Sequence, residues 1–188
     1  SSPQMARLLQ AVQDNFDLSR CLEFTVEGGR PDTLDAEKLA VIKAGGATRI
    51  SINPQTMSDS VLHTIGRRHT AQQTIEAYQM ARAAGFTDIN MDIIAGLPCD
   101  MLMSFTNTMK EIIALGPTNV TVHTLALKKG AARSWTKAQL PGWEMVRDML
   151  SVASRSLRAA GFTPYYLYRQ KYTTGGFENT GWCREGYP

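Results

Sequence analysis

The stretch Arg82-Ala83-Ala84-Gly85-Phe86-Thr87-Asp88-Ile89-Asn90-Met91-Asp92-Ile93-Ile94 runs from a helix end through a turn into an extended segment. Its first six residues recur letter for letter as Arg158-Ala159-Ala160-Gly161-Phe162-Thr163, and Lys43-Ala44-Gly45-Gly46-Ala47-Thr48 is a looser third copy. Each copy lies between a helical stretch and a strand, and Gly85 and Gly161 suit a left-handed helix end. Upstream, Thr70 and Gln73 have the spacing of a capping box, in which hydroxyl and amide each satisfy an orphan backbone group. Three junctions built alike predict repeated βα units.

Five extended runs, Leu22 to Glu27, Arg49 to Gln55, Ile89 to Ile94, Val120 to Leu125 and Pro164 to Lys171, alternate with helical stretches. Each delivers polar residues at or just past its carboxyl end, with Glu27, Gln55, Asp92 and His123 at comparable points. A parallel barrel assembles one site from many segments in this way. The expected fold is therefore α/β, a partial (β/α) barrel of parallel strands over residues 1–171, with residues 172–188 as an extension. Met5 to Phe16 reads as a helix ahead of any strand, with Leu8, Leu9, Val12 and Phe16 as its apolar stripe. A barrel that starts in mid-repeat leaves an open sheet edge, so the first strands are expected outside this chain.

Composition narrows the function classes. With 188 residues, 43% of them hydrophobic, the chain can bury a core without disulfides or metal staples. A net charge of +3 from scattered residues argues against nucleic acid. No run is long and apolar enough to span a membrane, and the amino end lacks the charged and apolar regions of a secretory signal, which predicts a cytoplasmic protein. Cys21, Cys99 and Cys183 lie far apart, without metal-loop spacing, and read as reduced, partly buried thiols. The methionines at 101, 103, 109, 145 and 149 read as core filling.

Four ordered motifs carry a family resemblance: Phe24-Thr-Val-Glu27-Gly-Gly-Arg-Pro-Asp32, Arg49-Ile-Ser-Ile-Asn-Pro-Gln55-Thr-Met57, Ile65-Gly-Arg67-Arg-His-Thr70 and Ile89-Asn-Met-Asp92-Ile-Ile-Ala-Gly-Leu-Pro98. From Met5 to Lys171 the chain resembles the radical S-adenosylmethionine enzymes of the oxygen-independent coproporphyrinogen III oxidase group, and within it the HemZ-like branch. Tyr166-Leu-Tyr-Arg-Gln-Lys171, followed by Glu178-Asn179, is similar to that branch's carboxyl-terminal signature and separates it from the related haem chaperones. The family's Cys-x3-Cys-x2-Cys loop and glycine-rich loop do not occur in this sequence. The resemblance implies that both precede Ser1 in a longer enzyme, so the ligands of the [4Fe-4S] cluster are expected outside this chain, which alone would be inactive.

The resemblance implies S-adenosylmethionine as cofactor, with Gln55 and Asp92 at its ribose hydroxyls, Arg67 on the methionine carboxylate, Glu27 near the ammonium and ribose, and Ile94 and Ala126 against adenine. It further implies a tetrapyrrole substrate, an external electron donor for the cluster, and oxidative decarboxylation of propionates to vinyl groups in haem biosynthesis. Haem binding and transfer, as in a chaperone, is the alternative. Arg169 and Lys171 are placed to meet propionates or to act as plain surface charge. Glu27 read alone is equally a surface acid, and Asp92 a buried acid satisfied by backbone. His123 and His69 invite a proton-transfer reading, while His123 could simply point into the barrel; His63 reads as solvated.

Overall fold

A computed structural model describes residues 1–127, 135–136 and 139–187. The strands are β1 (Thr25–Gly29), β2 (Arg49–Gln55), β3 (Asp88–Ala95), β4 (Asn119–Thr124), β5 (Thr163–Tyr168) and β6 (Asn179–Cys183). Among them lie the helices α1 (Ser2–Asn15), α2 (Ala36–Ala44), α3 (Asp59–Thr64), α4 (Ala71–Ala83), α5 (Leu102–Leu115) and α6 (Trp143–Ala159). The sheet order is β1-β2-β3-β4-β6-β5, and β1 to β4 pair in parallel, a partial and unclosed barrel.

The three similar junctions are the same piece of stereochemistry. Gly85, Gly161 and Gly46 all have positive φ, at 90°, 81° and 87°. After each of them the chain donates back five residues: Phe86 N to Ala81 O, Phe162 N to Leu157 O and Ala47 N to Ile42 O. This closure turns Phe86, Phe162 and Ala47 under the helix end, where each is at most 2% exposed. The Thr70 capping box also forms, with Thr70 N donating to Gln73 Oε1 at 2.9 Å and Gln73 N to Thr70 Oγ1 at 3.2 Å.

One strand falls outside the sequence reading. Asn179–Cys183, within the predicted extension, inserts antiparallel between β4 and β5. Five residues with a glycine in the middle carry little strand signal of their own, and it is the hydrogen-bonding edges of β4 and β5 that make them a strand. β5 consequently becomes the outer edge, and all six of its residues are exposed.

Alternation sorts each strand into two faces. Ile50, Ile52, Ile89, Met91, Ile93, Val120 and Val122 are buried against the helices, and along β3 every second residue is buried. On α6, Val146, Met149, Ala153 and Leu157 supply the matching stripe. The helix α1 departs from its expected packing: only Leu9 of its stripe is buried, while Leu8 and Phe16 are exposed. Leu9 lies so close to Gly45 that a Cβ there would fall 2.5 Å from Leu9 Cδ1, and Gln13 Nε2 donates to the Gly45 carbonyl at 3.0 Å, so α1 packs on the end of α2. Met109 and Met149 fill core, but Met101 and Met103 are exposed, since they lie off the α5 face that carries Phe105, Met109 and Ile112. Cys21 and Cys99 are likewise exposed and only Cys183 is buried.

The amino-terminal end of the sheet is closed by ion pairs. Arg49, with a side chain 7% exposed, bridges Glu23 at 2.7 Å and Asp88 at 3.1 Å. Burial alone would lower its pKa, but the two carboxylates outweigh that and the net shift is upward. The carbonyl of Tyr187 accepts from Asn119 Nδ2 at 2.7 Å, drawing the chain end across the same face. Conserving charge at this end for stability leaves the opposite, carboxyl end for ligands.

Candidate functional site

The face of the sheet turned away from the helices is polar. Register places Glu27, Ser51 and Asn90 in one row across β1 to β3, and Asp92, Thr121, Gly181 and Tyr166 in the next across β3, β4, β6 and β5. Hydrogen bonds join the rows into one network. Asn53 Nδ2 donates to Glu27 Oε2 at 3.0 Å and Ser51 Oγ to Asn53 Oδ1 at 2.8 Å. Asn90 Nδ2 donates to both Ser51 Oγ at 2.9 Å and Asp92 Oδ1 at 2.7 Å, while Thr121 Oγ1 donates to Asn90 Oδ1 at 3.2 Å. His123 Nε2 lies 3.4 Å from Asp92 Oδ2, and Tyr168 Oη is 3.5 Å from His123 Nδ1. Glu27 and Asp92 are thereby tied together through three intervening side chains, and both still reach solvent.

Gln55 takes a different path. Its φ of 70° and a break in register between Ile52 and Gln55 interrupt the alternation of β2. The side chain is buried, and Nε2 donates to the Asn53 carbonyl at 3.3 Å. Next to it, His69 Nε2 contacts the Pro54 carbonyl oxygen at 3.1 Å. Burial lowers the His69 pKa, so the ring is neutral and donates that bond. His69 thus clamps the end of β2, with its Nδ1 4.0 Å from Asp32 Oδ1; His63 is exposed, as expected.

Arg67 follows α3 in the loop that ends at His69, at the carboxyl end of β2. It is half-buried, and burial, reinforced by the neighbouring Arg30 guanidinium, lowers its pKa, with Asp32 opposing. Its side chain makes no hydrogen bond or ion pair among the described residues. Arg30, by contrast, is paired with Asp32 at 2.8 Å. A half-buried guanidinium with its fork open is a site for a carboxylate. Ile94, half-buried, shares the polar face and pairs with His123, and Ala126, beyond β4, is bridged to Thr173.

Arg169 and Lys171 differ in their surroundings. Arg169 is exposed and forms an ion pair with Glu178, which lowers the Glu178 pKa. Lys171 is exposed. The residues that sequence reasoning missed, Ser51, Asn53, Asn90, Thr121, Tyr166 and Tyr168, occupy the polar phase of their strands. The alternation in Arg49-Ile-Ser-Ile-Asn53 and Asn119-Val-Thr-Val-His123 was the signal that could have found them.

A face on which two acids, Glu27 and Asp92, share one hydrogen-bonded network suits a ligand that offers an ammonium group and hydroxyls, as S-adenosylmethionine does. Among the described residues no group of histidine, cysteine and acidic side chains is arranged to hold a metal ion. The Radical SAM superfamily, whose members use S-adenosylmethionine with a [4Fe-4S] cluster, matches residues 5–112. The chain is 42% identical over 189 aligned residues to the oxygen-independent coproporphyrinogen-III oxidase-like protein HemZ of Bacillus subtilis, covering 99% of this chain and 38% of HemZ. It is 28% identical to the heme chaperone HemW of Bacillus subtilis, covering 100% of this chain and 51% of that protein. Coproporphyrinogen III oxidase HemN from Escherichia coli superposes with a TM-score of 0.83 at 24% identity, over 99% of this chain and 41% of HemN. This chain thus spans about half or less of the relatives it matches. The family match covers more than half of this chain, and the chain belongs to the radical SAM superfamily.

Proposed function

We propose that this chain is the cofactor-gripping part of a coproporphyrinogen III dehydrogenase, which converts propionate side chains of a tetrapyrrole to vinyl groups. The observation that carries the reading is the hydrogen-bonded network from Glu27 to Asp92 on the face of the sheet turned away from the helices. When bound with its cluster, S-adenosylmethionine supplies the hydrogen abstraction that starts such a conversion. The chain's own residues hold and orient it. Asp92 accepts from a ribose hydroxyl with the oxygen edge left free by Asn90, and Gln55 offers its amide beside it. Arg67 takes the amino-acid carboxylate and Glu27 the ammonium. Ile94 and Ala126 present apolar surface to adenine. Lys171, and Arg169 once released from Glu178, face substrate carboxylates. Fixing the reacting carbon within contact distance of one substrate hydrogen is the protein's share of the catalysis.

The HemW relatives, which align over nearly the whole chain, favour a second reading as a haem carrier. The experiment that separates them joins a three-cysteine cluster loop to this chain and incubates the product anaerobically with dithionite, S-adenosylmethionine and coproporphyrinogen III. Vinyl products and released carbon dioxide support the dehydrogenase. Stable haem transfer without vinyl product supports the carrier. Failure to cleave S-adenosylmethionine at all ends the dehydrogenase reading.

A further inference from the structure

The polar face does not stop at Asp92. Its row continues through Thr121 and Gly181 to Tyr166 on the edge strand, three strand spacings or about 14 Å further across the sheet. Tyr166 and Tyr168, two apart on β5 and so on one face, stand nearly parallel, with ring centroids 6.2 Å apart and planes at 14°. Gly181 makes this possible: a Cβ there would lie 1.9 Å from Tyr166 Cε1, so the ring lies flat against the bare backbone of β6. Tyr166 Oη then reaches Thr121 Oγ1 at 3.4 Å. His123 connects this wall to the acid. Its Nε2 lies 3.4 Å from Asp92 Oδ2 and its Nδ1 3.5 Å from the Tyr168 hydroxyl. Both rings are 38% exposed. Tyrosines whose only task was to hold an edge strand would not need a glycine cut away beneath them, nor hydroxyls tied back to the carboxylate network.

Resting on the function proposed above, we infer that Tyr166 and Tyr168, oriented through His123, form the wall of the site that receives the pyrrole rings of the substrate, with Lys171 beyond the strand end for its carboxylates. The wall offers two aromatic faces and few hydrogen-bond donors, which suits a wide, π-rich ligand. A ligand spanning from the wall to Asp92 places its side chains over the cofactor position. Tyr166 and Tyr168 are positioning residues in this scheme and hold no reacting proton.

The test titrates the chain with coproporphyrin III, followed by fluorescence, alongside calorimetry with S-adenosylmethionine. The parent chain binds the porphyrin; Tyr166→Leu with Tyr168→Leu weakens that binding at least about ten-fold, while the double phenylalanine variant, which keeps the aromatic faces and loses only the hydroxyl contacts, falls between the two. Gly181→Ala, which keeps both tyrosines but lifts Tyr166 from its bed, weakens it as well. The S-adenosylmethionine affinity changes in none of these variants, so the wall can fail while the cofactor reading stands. Iron protoporphyrin is the second probe. Its binding with a Soret shift that depends on His123 and not on the tyrosines would overturn the proposal in favour of haem ligation. Porphyrin binding that is absent in the parent, or unchanged in the leucine variant, would overturn it too.

Discussion

Asp92→Asn isolates the charge of the central acid. The oxygen Oδ1 accepts from Asn90 Nδ2 at 2.7 Å, and an asparagine carbonyl can keep that bond at nearly constant volume. The side chain is 19% exposed, so the folded state pays little for the exchange. What disappears is the negative charge and the second acceptor, the one that faces His123 and the expected ribose hydroxyl. A hydrogen bond to a charged group contributes about 1–3 kcal/mol, which corresponds to a roughly five- to 150-fold rise in the Kd for S-adenosylmethionine. Calorimetry gives the affinity, and urea unfolding run on the same preparations shows that stability is preserved. A Kd within two-fold of the parent, with unchanged unfolding, would refute the assignment of Asp92 to the ligand and leave it as a tether for Asn90 and His123.

Arg67→Ala should weaken S-adenosylmethionine binding by about 1–3 kcal/mol with little loss of stability, because no partner among the described residues is left unpaired; equal affinity in calorimetry would reassign it to the surface. Gly45→Ala forces a Cβ to 2.5 Å from Leu9 Cδ1, and urea unfolding should show a loss of about 1–3 kcal/mol as α1 is pushed off α2. His69 has a folded pKa lowered by burial, so the unfolded chain binds its proton more readily. Its contribution is therefore present above about pH 6.5 and is lost as the pH falls towards the folded value. His69→Gln, which can still donate to the Pro54 carbonyl, should lose less stability than the parent between pH 7.5 and 5.5, and parallel pH profiles would argue against the clamp.

Local chemistry was legible where neighbours in sequence settle it. The capping box at Thr70 and the glycine turns at 46, 85 and 161 need only residues within one or two turns of chain, and all are found in place. The stripe of α1 misled because amphipathicity shows which face is apolar and leaves open whether anything covers it; Leu8 and Phe16 remain exposed. The run Asn179–Cys183 carried no strand signal, since its pairing is supplied by β4 and β5. The site divides in the same way. Glu27 and Asp92 stand in motifs legible in the sequence, whereas the links between them, Asn53, Ser51 and Asn90, are visible only once register sets strands side by side.

The amino-acid sequence by itself determined the βα repeat, the helix ends and the residue types available for binding, because periodicity, capping and backbone sterics act over a few residues. Tertiary structure alone decided which polar side chains share a face, that Tyr166 lies flat on Gly181, and that Arg169 is taken up by Glu178 while Arg67 stays open. These depend on strand order and register, which are set by pairing between segments distant in the chain, and no local pattern encodes the partner.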